Sequence, residues 1–228
     1  MKPILIAAAF AALLAPTAFA GAPVQPAVIE LFTSQGCSSC PPANDNLAAL
    51  SARPDVIALS FAVTYWDDLG WKDTFGQAQF TERQRRYESG LGQDGPSTPQ
   101  IVVNGRTQTV GNRRADIERL IDRTARPAGP AISVAGQTVS VSAGRAPAKP
   151  ADVWLVRYDP RVVQVAIRRG ENGGKTLPHK NVVRELTKLG AWTGGASSFK
   201  IATPAAPGLL SAILVQTPAG PILSAAKI

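Results

Sequence analysis

The stretch Ala27-Val-Ile-Glu-Leu-Phe-Thr-Ser-Gln-Gly-Cys37-Ser-Ser-Cys40-Pro-Pro42 decides the fold. Apart from Glu30 its first six residues are apolar, with β-branched Val28 and Ile29, and Pro26 precedes them, the pattern of a short buried strand. Thr33 to Gly36 reads as a loop. Cys37 to Ala52 reads as a helix, with Pro41 and Pro42 in its first turn, where a missing N–H does no harm. Leu47 and Leu50 supply its apolar side. Strand, short loop, Cys-x-x-Cys and helix follow one another as in a thiol–disulfide active site. A cysteine at a helix N-terminus meets unpaired N–H groups and the positive end of the helix dipole. Both favour the thiolate, which is the nucleophile. Cys37 is the expected nucleophile and Cys40 the resolving thiol. Ser38 and Ser39 are placed to donate hydrogen bonds to the Cys37 thiolate.

Asp55 to Val63 is a second apolar strand. Thr64 to Gly76 is loop-like and aromatic, and Gln77 to Tyr87 carries helix formers. Thr98-Pro99 opens a strand over Gln100–Val103, followed by Asn104-Gly105 and Thr107–Val110, a hairpin with a type I′ turn. Asn112 is expected to cap a helix over Arg113–Ala125, with Ile117, Leu120 and Ile121 on one side. After the linker 126–130 the texture becomes alternating. Hairpins are expected around Gly136-Gln137, Asp159-Pro160 and Pro218-Ala219-Gly220, and Asn181 to Gly190 reads as a strand. The expected organisation is an α/β domain over 21–130, with an insertion near 64–90, followed by a small all-β, sandwich-like domain over 131–228.

Residues 27–125 resemble the thioredoxin superfamily, which keeps a cis-proline beside its dithiol where Pro99 stands here. More closely, Ile29 to Ala43, Tyr65-Trp66-Asp67, Leu69-Gly-Trp-Lys-Asp73, Arg83-Gln84 and Thr98-Pro-Gln100 resemble a secreted bacterial thioredoxin-like family catalogued only as a domain of unknown function. Gly170-Glu-Asn-Gly173 and Asn181-Val-Val-Arg184 extend the likeness into the second half. The family pattern reads His-Val-Asp before the Tyr-Trp pair, whereas this chain has Ala62-Val63-Thr64. The resemblance implies a thioredoxin-like domain in which Thr98 and Pro99 present backbone to a bound peptide.

Several readings stand side by side. A Cys37–Cys40 bridge closes a four-residue loop, which stabilises by only about 2 kcal/mol, a weak reason for a purely structural bond. An inert disulfide, Cu(I) capture by two thiolates and a non-catalytic binding module are the alternatives to redox exchange. Glu30, in an otherwise apolar strand, either takes a proton from Cys40 during resolution or pairs with an arginine. Tyr65 and Trp66 either line a peptide groove or belong to the core. His179 reads as a loop residue. Gly90-Leu-Gly-Gln-Asp-Gly95 follows a helix and opens none, so it is not a nucleotide loop, and Gly170 to Gly174 reads as a turn.

The whole chain has 228 residues, 24 Lys+Arg, 16 Asp+Glu, one His and two Cys. One His excludes a multi-imidazole metal site, and two Cys exclude a four-cysteine zinc site. Lys2, the apolar run Ile4–Leu14 and Ala18-Phe19-Ala20 form a secretory signal pattern over 1–20, cleaved after Ala20. It implies a periplasmic or secreted protein with no permanent membrane span and no nucleic-acid partner, and exchange through a dithiol needs no organic cofactor. In an oxidising compartment the two cysteines can keep a disulfide. The expected partners are protein or peptide thiols and disulfides and a redox partner protein. Residues 21–130 hold 11 basic and 12 acidic residues, while 131–228 hold 12 and 4, so the basic excess lies in the second half. That excess implies contact with an anionic envelope surface.

Overall fold

The structure is a computed structural model and describes residues 25–218 and 220–228. The expected signal segment 1–20 lies outside the described residues.

Strands β1 (Ala27–Thr33) and β2 (Val56–Ala62) run parallel, and all seven residues of each are buried. Burial on both faces is why both read as continuous apolar runs. Helix α1 (Pro41–Leu50) connects them, and α2 (Ala78–Leu91) follows β2. Strand β3 (Gln100–Val103) lies antiparallel to β1 and turns into β4 (Thr107–Thr109). The turn residues Asn104 and Gly105 have φ of 52° and 64°, the type I′ geometry expected of Asn-Gly. Helix α3 spans Arg114–Arg123. Its N-cap is Arg113 rather than the expected Asn112, and the Arg113 carbonyl accepts the first helical N–H groups, from Asp116 and Ile117.

The second half is all strand: β5 (Ile132–Ala135), β6 (Thr138–Val141), β7 (Ala151–Asp159), β8 (Val163–Ala166), β9 (Thr176–His179), β10 (Val182–Trp192), β11 (Ser197–Lys200), β12 (Leu210–Gln216) and β13 (Ile222–Lys227). Hydrogen bonding does not stop at residue 130. One eight-stranded sheet runs β13-β12-β7-β10-β2-β1-β3-β4, with four strands from each side of that position. Asn181 makes the seam: its Nδ2 donates to the Ala58 carbonyl at 2.7 Å, and its own carbonyl accepts from Ser60 N at 3.0 Å. On one face of the sheet α2 packs Phe80 and Tyr87 among Phe32, Phe61, Trp154 and Leu214. On the other, α1 and α3 cover Ile29, Leu31 and Ile101, and the small sheet β11-β6-β5 covers Val153, Leu155 and Ile213. The whole is a mixed α/β fold with one large sheet and three helices among the described residues.

The hairpin expected around Asp159-Pro160 does not form. Strand β7 lies between β10 and β12, and β8 pairs instead with β9 in a separate two-stranded ribbon. The Asp159 carboxylate gathers the N–H and guanidinium of Arg161, which leads the chain away from β7.

Candidate functional site

Cys37 and Cys40 are joined in a disulfide with their Cα atoms 5.5 Å apart. Helix α1 starts at Pro41, so Cys40 is its N-cap and Cys37 sits in the turn before it, not inside the helix as its spacing suggested. Pro41 and Pro42 have no N–H to give, so the first helical donors are Ala43 and Asn44, both bonded to the Cys40 carbonyl. Ser39 Oγ lies 3.3 Å from Cys37 Sγ, which makes Cys37 the sulfur with a hydroxyl partner. Ser38 and Ser39 are exposed, yet both cysteines are completely buried.

Loop 34–37 is fixed from two sides. From the 64–76 loop, the Asp73 carboxylate accepts Gln35 N at 2.7 Å, and Trp71 Nε1 donates to Gln35 Oε1 at 2.9 Å. Burial pushes the Asp73 carboxyl up to about 6 despite the N–H groups it accepts from Gln35 and Phe75. From the second half, Asn172 Nδ2 donates to the carbonyls of Gln35 at 3.0 Å and Cys37 at 2.9 Å. The neighbouring Glu171 carboxylate accepts Ser38 N at 3.0 Å and is held below the usual carboxylate range by that bond. Glu171 and Asn172 belong to the Gly170-Glu-Asn-Gly173 motif that carries the family likeness, which otherwise read as a turn, and their role at the cysteine loop had no signal in the sequence.

Thr98 and Pro99 precede β3, and the peptide bond between them is cis. Trp66 Nε1 donates to Thr98 Oγ1 at 2.8 Å, and Trp66 Cβ lies 3.5 Å from where a Cβ on Gly36 would stand. Trp66 therefore touches both the Thr98 loop and the loop that carries Cys37. Tyr65 is half-buried, with its hydroxyl 3.2 Å from Gln84 Oε1, and burial pushes the phenol up to about 12. Glu30 is not brought to the cysteines: its hydrogen-bond partners are Arg83, at 2.6 Å, and the Tyr87 hydroxyl. His179 is not in a loop. It lies in β9, buried at 2 % exposure, with its ring edge-on to Phe75.

Among the described residues no group of three or more His, Cys, Asp or Glu side chains is placed to hold a metal ion. No helix of the described residues is long and apolar enough to cross a membrane.

The class defined here is a mixed α/β protein with a buried disulfide where a central strand passes into a helix. The chain belongs to the family described as protein of unknown function DUF1223, whose model matches residues 28–216. It is similar to a protein of Agrobacterium tumefaciens known from its crystal structure, at 31% identity and a TM-score of 0.74, over 90% of this chain and 94% of that one. It is also similar in fold to HBP35 of Porphyromonas gingivalis, at 16% identity and a TM-score of 0.59, over 91% of this chain and 76% of that one. Among curated proteins none matches the chain.

Proposed function

We propose that this is a thioredoxin-like thiol–disulfide exchange protein of the cell envelope, exported by the segment 1–20. The observation that carries the reading is the Cys37–Cys40 disulfide itself, held at the β1–α1 junction with Trp66 and Thr98 beside its loop. In the oxidised direction a substrate thiolate attacks Cys37 Sγ. The bond to Cys40 breaks, a mixed disulfide forms, and Cys40 leaves as a thiolate. A second substrate thiolate then attacks the substrate sulfur of the mixed disulfide. The substrate disulfide departs and both cysteines end reduced, two electrons having come from two thiols. In the reverse direction Cys37 attacks a substrate disulfide and Cys40 resolves it. Thr98 and Pro99, with Tyr65 and Trp66, receive the substrate backbone. The basic second half supplies contact with an anionic surface.

The test is trapping. Cys40→Ser leaves Cys37 with no resolving thiol, so it is expected to accumulate mixed disulfides with envelope proteins, and Cys37→Ser is expected to trap none. Equal trapping by neither variant, with no exchange on model disulfides, contradicts the reading and leaves a binding module.

A further inference from the structure

The dithiol is shut. Cys37 and Cys40 have no exposed surface, although the serines between them face solvent. A nucleophile must approach a disulfide along the S–S axis, so a fully covered sulfur is out of reach of any folded partner. On the second-half side the loop that carries Cys37 is held by the tip of the β8–β9 ribbon, residues 167–175, some 130 positions away in sequence.

The tip is built for this contact. Ile167 and Lys175 close its base through Ile167 N to the Lys175 carbonyl, at 2.8 Å, and Gly174 N returns to the Ile167 carbonyl, also at 2.8 Å. Asn172 is completely buried, with its Nδ2 spent on the carbonyls of Gln35 and Cys37. Lys175 Nζ donates to Asn172 Oδ1 at 3.0 Å and so fixes which end of the amide faces the dithiol loop. Glu171 holds Ser38 N from the solvent side. Gly170 packs flat against Trp71, where a Cβ would stand 3.3 Å from the Trp71 Cβ. The ribbon pairs with neither of the two larger sheets. Moving its tip therefore breaks side-chain hydrogen bonds and leaves every ladder of the main sheet intact.

We propose that the β8–β9 ribbon is a gate on the Cys37–Cys40 disulfide, latched by Asn172 and Glu171, and that a protein thiol reaches the sulfur only when the tip swings off. The proposal rests on the exchange reading for its biological purpose, but the gate is a property of access and is measurable without any natural substrate. With the gate closed the disulfide persists among small and large thiols alike. A partner that displaces the tip selects itself as the substrate.

The experiment uses the full chain and dithiothreitol, an uncharged reductant. Its thiolate attacks one Sγ, the S–S bond breaks to give a mixed disulfide, and its second thiol closes the ring. That releases the remaining cysteine and transfers two electrons. Asn172→Ala removes both bonds to the loop carbonyls. The rate of reduction is expected to rise about tenfold, the scale on which two such bonds hold a closed state. Glu171→Ala frees Ser38 N and is expected to give about a threefold rise. Arg83→Met, which destabilises the protein without touching the tip, is expected to leave the rate within about twofold of the starting protein. Rates of both tip variants equal to that of the starting protein overturn the gate, as does an equal rise in Arg83→Met. Should Asn172→Ala fail to fold, Glu171→Ala alone decides. Faster reduction by dithiothreitol with no mixed disulfide trapped from any envelope protein upholds the gate and contradicts the exchange reading.

Discussion

Glu30 on β1 and Arg83 on α2 form an ion pair at 2.6 Å with side chains 0% and 5% exposed. The Tyr87 hydroxyl bonds the other carboxylate oxygen, and burial followed by the Glu30 charge keeps that phenol protonated. The Arg83 guanidinium lies over the rings of Phe61, Tyr87 and Trp154. Removing one charge strands the other in the core, at a cost of about 3–5 kcal/mol. Arg83→Met is expected to lose that much in urea unfolding. The double variant with Glu30→Leu is expected to recover part of it, since an apolar pair strands no charge. A loss below about 1 kcal/mol in Arg83→Met would show that the pair does not secure α2 to the sheet.

Trp66 bridges the Thr98 loop and the cysteine loop. Trp66→Phe keeps an aromatic side chain, though a smaller one, and removes the Nε1 donor to Thr98. On a peptide disulfide the expected result is a several-fold rise in KM with kcat within about twofold, because binding is lost and the sulfur chemistry is not. A fall in kcat at constant KM would place Trp66 in the chemistry instead.

His179 and Asp73 give the stability profile a distinctive shape. Burial pushes His179 down to about 4, from 6.5 in the unfolded chain. Between those pH values the unfolded chain binds the extra proton, so stability falls as pH drops, by up to about 3 kcal/mol. Asp73 has the opposite sign. Its carboxyl is raised from 3.8 to about 6, so the folded state holds the extra proton and stability falls as pH rises through that window. The two offset each other between pH 4 and 6. His179→Gln is expected to become less stable as pH rises from 4 to 6, and Asp73→Asn more stable. Parallel profiles for both variants and the starting protein would refute the assignment.

Arg168, Arg169 and Arg184 are exposed and Lys180 is half-buried, all within the basic second half. Arg184 also lies 4.5 Å over the Phe75 ring. Reversing Lys180 and Arg184, which lie outside the 167–175 tip, is expected to weaken binding to anionic vesicles while the reduction rate of the disulfide changes little. Retained vesicle binding would reduce the charge to a solubilising face.

Local chemistry made much of the first half legible. β1 and β2 announced themselves as apolar runs because both their faces are covered, and Asn104-Gly105 because a type I′ turn needs two positive φ values. The pairing of β7 was not legible, because alternation marks a strand and says nothing about its neighbour. Asn181, which joins β10 to β2, acts through a contact 123 residues away in sequence. A comparable distance hid the role of the Gly170-Glu-Asn-Gly173 motif: Asn172 reaches the Cys37 carbonyl across 135 positions. Glu30 carried two readings, proton acceptor or arginine partner, and its place against Arg83 depends on how α2 crosses the sheet.

The reduction potential of the Cys37–Cys40 pair, measured against glutathione, bears most directly on thiol–disulfide exchange. An exchange site is expected to fall between about −270 and −120 mV, the range of proteins that pass disulfides on. A value below about −300 mV belongs to a structural disulfide and would contradict the account.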